Sequence, residues 1–213
     1  MARDWRGVVD GFTDVQKLVH LAMRMDTTDV EAMRGTLLRE RRKAYEDELT
    51  IQARRVGCGS KMARLGNNPS LSALNEMSKK DAKSIVATYN YDLAFAIRAI
   101  GQETATANRH TYAARLRGWE SKRASWKNPQ IQEYTQNSAR ARAQQDFHRF
   151  NRPKGVAVLL PKEGVCPICK GWISRGRVDA RIAQNHPPPY HPNCPHTWDF
   201  NWKKFSDRQC ENL

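Results

Sequence analysis

The chain carries two stretches rich in cysteine and histidine near its C-terminus, C-P-I-C at residues 166–169 and P-P-P-Y-H-P-N-C-P-H at residues 187–196. The first places two thiols on one tight turn, and the second repeats the same two-residue gap with His191 and Cys194. Thiolates and imidazoles in a tetrahedral set are the ligands that zinc prefers. The pattern predicts a closed, structural zinc site with Cys166, Cys169, His191 and Cys194 as ligands and His196 as the alternate.

Other interpretations of these residues are weaker. A redox C-x-x-C begins a helix after a strand, and residues 156–160 could form that strand, but the downstream His-x-x-Cys favours a metal. His186 is a weak further ligand candidate. Cys58 and Cys210 have no ligand-type neighbours in sequence, so they are interpreted as structural or incidental. Five cysteines, three of them clustered, are not typical of a disulfide framework and indicate a reducing compartment.

The region upstream of the cysteines has the periodicity of helices. Apolar side chains recur at helical spacing over residues 12–22, 30–44 and 82–100. Thr28 with Glu31, and Ser78 with Asp81, are typical of capping boxes, so each pair is expected to begin a helix. Asn128-Pro129 is expected to end the long third pattern, with a further helix over residues 131–147.

The character of the sequence changes after Pro153. Residues 155–160 predict a short strand between a glycine and a proline. The aromatic residues that follow are expected to form a small core or, as the alternative, an interface; they are Trp172, Trp198, Phe200, Trp202 and Phe205.

The predicted fold class is therefore mainly α, with long amphipathic helices followed by a small α+β zinc-binding C-terminal module. The predicted segments are an N-terminal helical segment (1–57), a long-helix region with a basic C-terminal part (58–152) and the Cys/His module (153–213).

Composition excludes several classes of protein. Only 39% of the 213 residues are hydrophobic, and residues 156–160 form the longest aliphatic run, so a membrane span is not expected. The N-terminus has no apolar region typical of a secretory signal. The formal net charge is +14, of which +8 falls within residues 108–160. That excess favours an anionic partner, and the candidate phosphate contacts are Arg140, Arg142, Arg149, Arg152, Lys154, Arg175 and Arg177.

The C-terminal third resembles the terminal module of the minor head, or head-morphogenesis, proteins of tailed phages of the Mu F-like type. The resemblance rests on a basic, alanine-rich helix (residues 139–147), the strand at 155–160, and the C-P-I-C and P-P-Y-H-P-N-C motifs. The family commonly continues as H-P-x-C-R-C, whereas here His196 stands where a thiol is usual. The resemblance implies a structural protein in the virion, made in the host cytoplasm and present in multiple but few copies. It also implies contact with the portal or the major capsid protein and with packaged DNA, and no membrane.

Two other functions compete with this one. A cytoplasmic, zinc-containing nucleic-acid-binding protein would use the same basic side chains on phosphates. A metal-dependent nuclease is a third, weaker possibility, because the cysteine-rich cluster looks closed and no Asp-His pair supplies a general base. The only carboxylates nearby are Glu163, Asp179 and Asp199. We therefore expect a protein that is not an enzyme.

Overall fold

The computed structural model describes residues 19–20, 22–23, 26–59, 69–103, 109–189, 194–211 and 213. The described part is mainly helical, with a small antiparallel sheet near the C-terminus, as predicted. Its helices are α1 (Thr27–Arg55), α2 (Pro69–Glu103), α3 (Arg109–Asn151), α4 (Pro167–Ser174), α5 (Ala180–Asn185) and α6 (Asp207–Glu211). Its strands are β1 (Gly155–Leu159), β2 (Val178–Asp179) and β3 (Trp198–Trp202). None of the described helices combines the length and apolar character that a membrane crossing requires.

Both predicted capping boxes are displaced. The Oδ1 of Asp26 accepts a hydrogen bond from the amide of Thr28 at 2.8 Å, so Asp26 caps α1 and Thr28 lies inside the first turn. α2 begins at Pro69, well before Ser78, which is fully buried inside the helix. The helix extends upstream because its apolar face continues to the buried Leu74.

The predicted break at Asn128-Pro129 is wrong, since α3 runs through both residues. A proline inside a helix removes one backbone hydrogen bond and costs about 3 kcal/mol. Packing on both sides offsets that cost, because Leu116 before the proline and Phe147 after it are fully buried.

The described residues form two packing units, and each long helix contributes to both. The first unit draws on residues 1–36 and 76–129. In its core, the Tyr112 hydroxyl donates to the carbonyl of Ile97 at 2.8 Å, and Arg123 is paired with Asp92 at 2.8 Å. The buried members of this core are Val19, Ala22, Leu93, Ala94, Ile97, Tyr112, Ala113 and Leu116.

The second unit draws on residues 37–75 and 130–213 and contains the sheet, in the order β2-β1-β3. β1 and β3 pair antiparallel with Gly155 opposite Trp202 and Leu159 opposite Trp198. A Cβ at Gly155 would collide with the carbonyl oxygen of Asn201, so the close approach of the two strands requires glycine there.

The aromatic residues of the C-terminal part form a core, as predicted. Trp198, Phe200 and Trp202 project from β3 and are at most 4% exposed, while Phe205 is half-buried. Phe200 stacks on Trp202, with the ring centroids 4.6 Å apart. The indole N–H of Trp202 donates to Gln52 of α1, which attaches the sheet to the helix.

Cys58 and Cys210, interpreted from the sequence as structural or incidental, form a disulfide and are therefore structural. The segment after β3 returns to the end of α1, where the amide of Phe205 donates to the carbonyl of Val56 at 2.8 Å. The two cysteines are 152 positions apart, with Cα atoms 5.1 Å apart. The three-segment division of the chain stays a prediction.

Candidate metal centre

The first half of the C-terminal cysteine cluster is built on the start of α4. Cys166 is the N-cap residue of this helix, and Pro167 supplies the fixed φ that favours its first turn. The Sγ of Cys166 accepts a hydrogen bond from the amide of Cys169 at 3.4 Å. Because residues three apart share one face of a helix, both sulfurs lie on the same side of this turn.

The second half of the cluster lies on the approach to β3. Cys194 Sγ is 3.5 Å from Cys169 Sγ and 3.7 Å from His196 Nδ1. The three ligand atoms lie within 4.8 Å of one another, and the three residues are buried. The adjoining sheet fixes this approach, because the amide of Leu160 donates to the carbonyl of Thr197 at 3.3 Å. Cys169, Cys194 and His196 therefore form a group that could hold a metal ion.

The five predicted ligand candidates divide into three placements. Cys169 and Cys194 come together as expected, and His196, the alternate, joins them. Cys166 lies beside this group at the helix N-cap. His191 lies outside the described residues, so its predicted role stays a prediction. His186 is exposed and packs its ring 4.8 Å from that of Trp172.

One sequence signal for His196 was missed. Burial alternates along residues 194–202, where Cys194, His196 and Trp198 point inward. A strand has a period of two residues, so counting back from the buried aromatic residues of β3 places His196 on the same inward face. Matching the His-x-x-Cys gap to C-x-x-C gave more weight to His191 and ignored this alternation.

The environment of Cys169 favours the protonated thiol as long as no cation is near. Burial raises the pKa of Cys169, and the adjoining thiols of Cys166 and Cys194 raise this pKa further. A divalent cation reverses this preference, since a coordinating thiol is deprotonated. Binding of a metal ion by this group would therefore release protons.

The donor set fits zinc in both chemistry and size. Zinc takes about 2.3 Å to sulfur and about 2.0 Å to nitrogen, so ligand atoms on a tetrahedron lie about 3.5–3.8 Å apart. The sulfur–sulfur distance of 3.5 Å and the sulfur–nitrogen distance of 3.7 Å agree with that spacing.

Two of the three carboxylates considered for a nuclease have other partners, and the third is exposed. Asp199 forms an ion pair with Arg55 at 2.6 Å. Asp179 caps α5 and pairs with Arg181 at 3.1 Å. Glu163 is exposed in the turn before α4. Among the described residues, the group able to hold a metal consists of two cysteines and one histidine.

The predicted phosphate contacts are scattered over the C-terminal unit. Arg142 is paired with the buried Asp146 at 3.0 Å, and Arg175 lies over the ring of Trp172 at 4.3 Å. Arg140 lines a hollow that also contains Asp47 and Glu48. Arg177 is exposed at the start of β2. Only three of the seven share one concave surface, and these are Arg149, Arg152 and Lys154.

Comparisons of the chain with protein-family models, with curated proteins and with solved structures find no match.

Proposed function

We propose that this chain is a structural minor head protein of a tailed bacteriophage, without enzymatic activity of its own. It would lie in the virion, in the head interior or at the portal vertex, in contact with the portal or major capsid protein and with packaged DNA. The observation that carries the proposal is the buried Cys169, Cys194 and His196 group, in which Cys169 and Cys194 come from the two motifs on which the family resemblance rests.

We further propose that this group holds a structural zinc ion. Cys169, Cys194 and His196 would supply three ligands, and Cys166 is the favoured fourth because its sulfur lies on the same helical turn as Cys169. His191 is the alternative fourth ligand. A closed shell of four protein ligands stabilises a fold and leaves no position for a reacting water. In this role the ion would cross-link α4 and the segment before β3.

The charge of the chain supports a place beside DNA. Residues 108–160 carry 11 basic and 3 acidic side chains. Cations near phosphates release condensed counterions, which favours sequence-independent contact with densely packed DNA.

Quantitative mass spectrometry of purified, salt-washed particles tests the head assignment. Particles of the phage that encodes the chain should retain it at a low, reproducible copy number relative to the major capsid protein. If the chain is abundant in infected cells but missing from particles, the structural assignment is wrong.

A complementation experiment links the metal group to that role. Particles assembled with a His196→Ala chain should lose the protein, because the C-terminal unit would lack its metal anchor. His20→Ala is the matched control, since His20 is an exposed histidine far from the cysteines in sequence. Equal incorporation of both variants would separate the metal group from head assembly.

The second candidate is a cytoplasmic, zinc-containing protein that binds nucleic acid, and the concave basic surface around Arg152 favours it. Absence from particles, together with DNA binding that weakens steeply with salt, would support this alternative. A nuclease remains a third proposal of lower weight. DNA that stays intact with magnesium, manganese or zinc would remove it.

A further inference from the structure

The C-terminal unit contains a basic pocket, the concave surface around Arg152, to which the proposed structural role assigns no specific ligand. It lies where the end of α3 meets β1 and the start of α5, with a volume of about 870 Å³. Its lining includes five cationic side chains and one carboxylate, Asp179; the cations are Arg149, Arg152, Lys154, Arg181 and Lys203. None of the three residues that form the candidate metal group lines it.

The single carboxylate leaves four of the cations uncompensated. Asp179 accepts from the backbone amide of Arg181 at 2.8 Å and from its Nε at 3.1 Å, so these two charges neutralise each other. Within the described part of the chain, no ion pair is formed by the other four lining cations: Arg149, Arg152, Lys154 and Lys203.

Backbone geometry keeps these four cations together. The amide of Lys203 donates to the carbonyl of Lys154 at 2.8 Å, which places the two lysines on adjoining strand ends. Arg152 has a left-handed backbone with φ of 45°, and its amide donates to the carbonyl of His148 at 2.8 Å. Glycine is the usual residue at such a helix end, so the left-handed backbone is less favourable for an arginine there.

The negative end of a helix dipole explains only part of this charge. A cation in the last turn of a helix is stabilised by the helix dipole, and Arg149 lies in the last turn of α3. Lys154 and Lys203 lie beyond the helix, so their proximity requires another reason. Like charges held together without a counter-charge destabilise a fold, and a bound anion relieves that repulsion.

We propose that this pocket binds the phosphate groups of a nucleotide, either as a free nucleotide or as the end of a DNA strand. Pockets for small ligands measure about 300–1,000 Å³, which suits one nucleotide and excludes a duplex. Arg149, Arg152, Lys154 and Lys203 contact the phosphates. The inference depends on this pocket alone and holds whether or not the chain lies in a phage head.

His148 reports on occupancy of the pocket. Its half-buried ring stacks on Trp202 at 6.0 Å and lines the pocket. Burial lowers the pKa of His148; Asp179 opposes the shift and Arg181 adds to it. A bound phosphate adds negative charge beside the ring, so the His148 pKa rises on binding, as NMR titration can measure.

Calorimetric titration of the full chain with pyrophosphate, dATP and a 5′-phosphorylated thymidine octamer tests the proposal. Arg152→Gly is the test variant, because glycine adopts the left-handed backbone without strain and only the guanidinium is lost. Affinity should fall about tenfold, the lower range for loss of a hydrogen bond to a charged group. Arg98→Gln is the matched control, because Arg98 is an exposed arginine of α2 that does not line the pocket, and it should change affinity less than about twofold.

The outcomes divide clearly. Preference for dATP identifies a free nucleotide, whereas an octamer that binds only with its 5′-phosphate identifies a strand end, and both support the pocket. Equal losses in Arg152→Gly and Arg98→Gln would overturn it in favour of diffuse charge. Failure of wild type to bind any probe at millimolar concentration, with no change in the His148 pKa, would also overturn it. Neither failure bears on the presence of the chain in particles.

Discussion

Replacing Cys58 with serine opens the disulfide that joins the end of α1 to α6, and its effect follows from the length of the closed loop. The two cysteines are 152 positions apart. In the chain-entropy model, a cross-link over that distance destabilises the unfolded state by about 5 kcal/mol at 25 °C. Measured effects are usually smaller, so we expect Cys58→Ser to lower the free energy of unfolding by about 2–4 kcal/mol.

The hydrogen bonds next to the disulfide form between groups that do not include its sulfur atoms. The amide of Phe205 donates to Val56, and the Lys204 ammonium donates to the carbonyl of Arg55 at 3.0 Å. These contacts remain available when the disulfide opens, so the C-terminal segment should stay near α1 in the native state. The loss therefore falls mainly on the unfolded state, which becomes less restricted.

Urea unfolding, followed by tryptophan fluorescence at constant zinc, measures the effect. Oxidised wild type, wild type with reductant, Cys58→Ser and Cys210→Ser form the comparison. Reduced wild type and both variants should unfold at the same lower urea concentration, and reductant should not change the variants further. If thiol titration of native protein finds all five cysteines reactive, or if all samples unfold alike, the reasoning is refuted.

Three further predictions concern other parts of the molecule. Gly155→Ala should lower the free energy of unfolding, measured by urea unfolding, by about 1–3 kcal/mol, since the added Cβ meets the carbonyl of Asn201. Gly171→Ala is the control and should not lower it, because the space around Gly171 is open. Equal effects of the two substitutions would contradict the close approach of the strands. Burial raises the pKa of Tyr112 to about 12, so the folded state favours the protonated phenol and stability is lost as pH rises from 10 through 12. When phenolate absorbance is followed against pH, the ionisation step near pH 12 should be absent in Tyr112→Phe. Metal-loaded protein should release its ion and lose stability as pH falls, because protons compete for the thiolates. Metal-free protein should instead lose stability as pH rises, because burial raises the pKa of Cys169. If the unfolding temperature changes with pH in the same direction in both forms, the cluster is contradicted.

The sequence was sufficient for the fold class and for the short strand. Helical periodicity depends on side chains along one element, so the helical stretches at residues 30–44 and 82–100 were found from local pattern. The strand at 155–159 has β-branched and aliphatic residues between breakers, and the structure contains it. Buried aromatic residues after Pro153 followed from composition alone.

Helix ends were harder to predict, because each depends on a competition. Asp26 and Thr28 are both residue types that cap helices well. In the structure Asp26 caps α1, because its carboxylate accepts the amide of Thr28 and leaves Thr28 inside the first turn. Pro129 would end an isolated helix, but packing on both sides of it exceeds the local cost. A local rule cannot include energies that come from distant contacts.

Pairings over long distances were not accessible from the sequence. Nothing around Cys58 indicates that Cys210 folds back to it, since the pairing depends on where the segment after β3 runs. For the candidate metal group, spacing pointed to Cys169 and Cys194, and strand alternation would have pointed to His196. The joining of α4 to the segment before β3 required the structure.

The most direct test of the account is the zinc content of purified, dialysed protein, measured by mass spectrometry with the chain concentration in parallel. We predict about one zinc per chain, as in a structural site with four protein ligands. The ion should be lost in Cys169→Ser, Cys194→Ser and His196→Ala and retained in Cys58→Ser. Less than about half a zinc per chain, with the thiols of Cys166, Cys169 and Cys194 reduced, would contradict the metal centre.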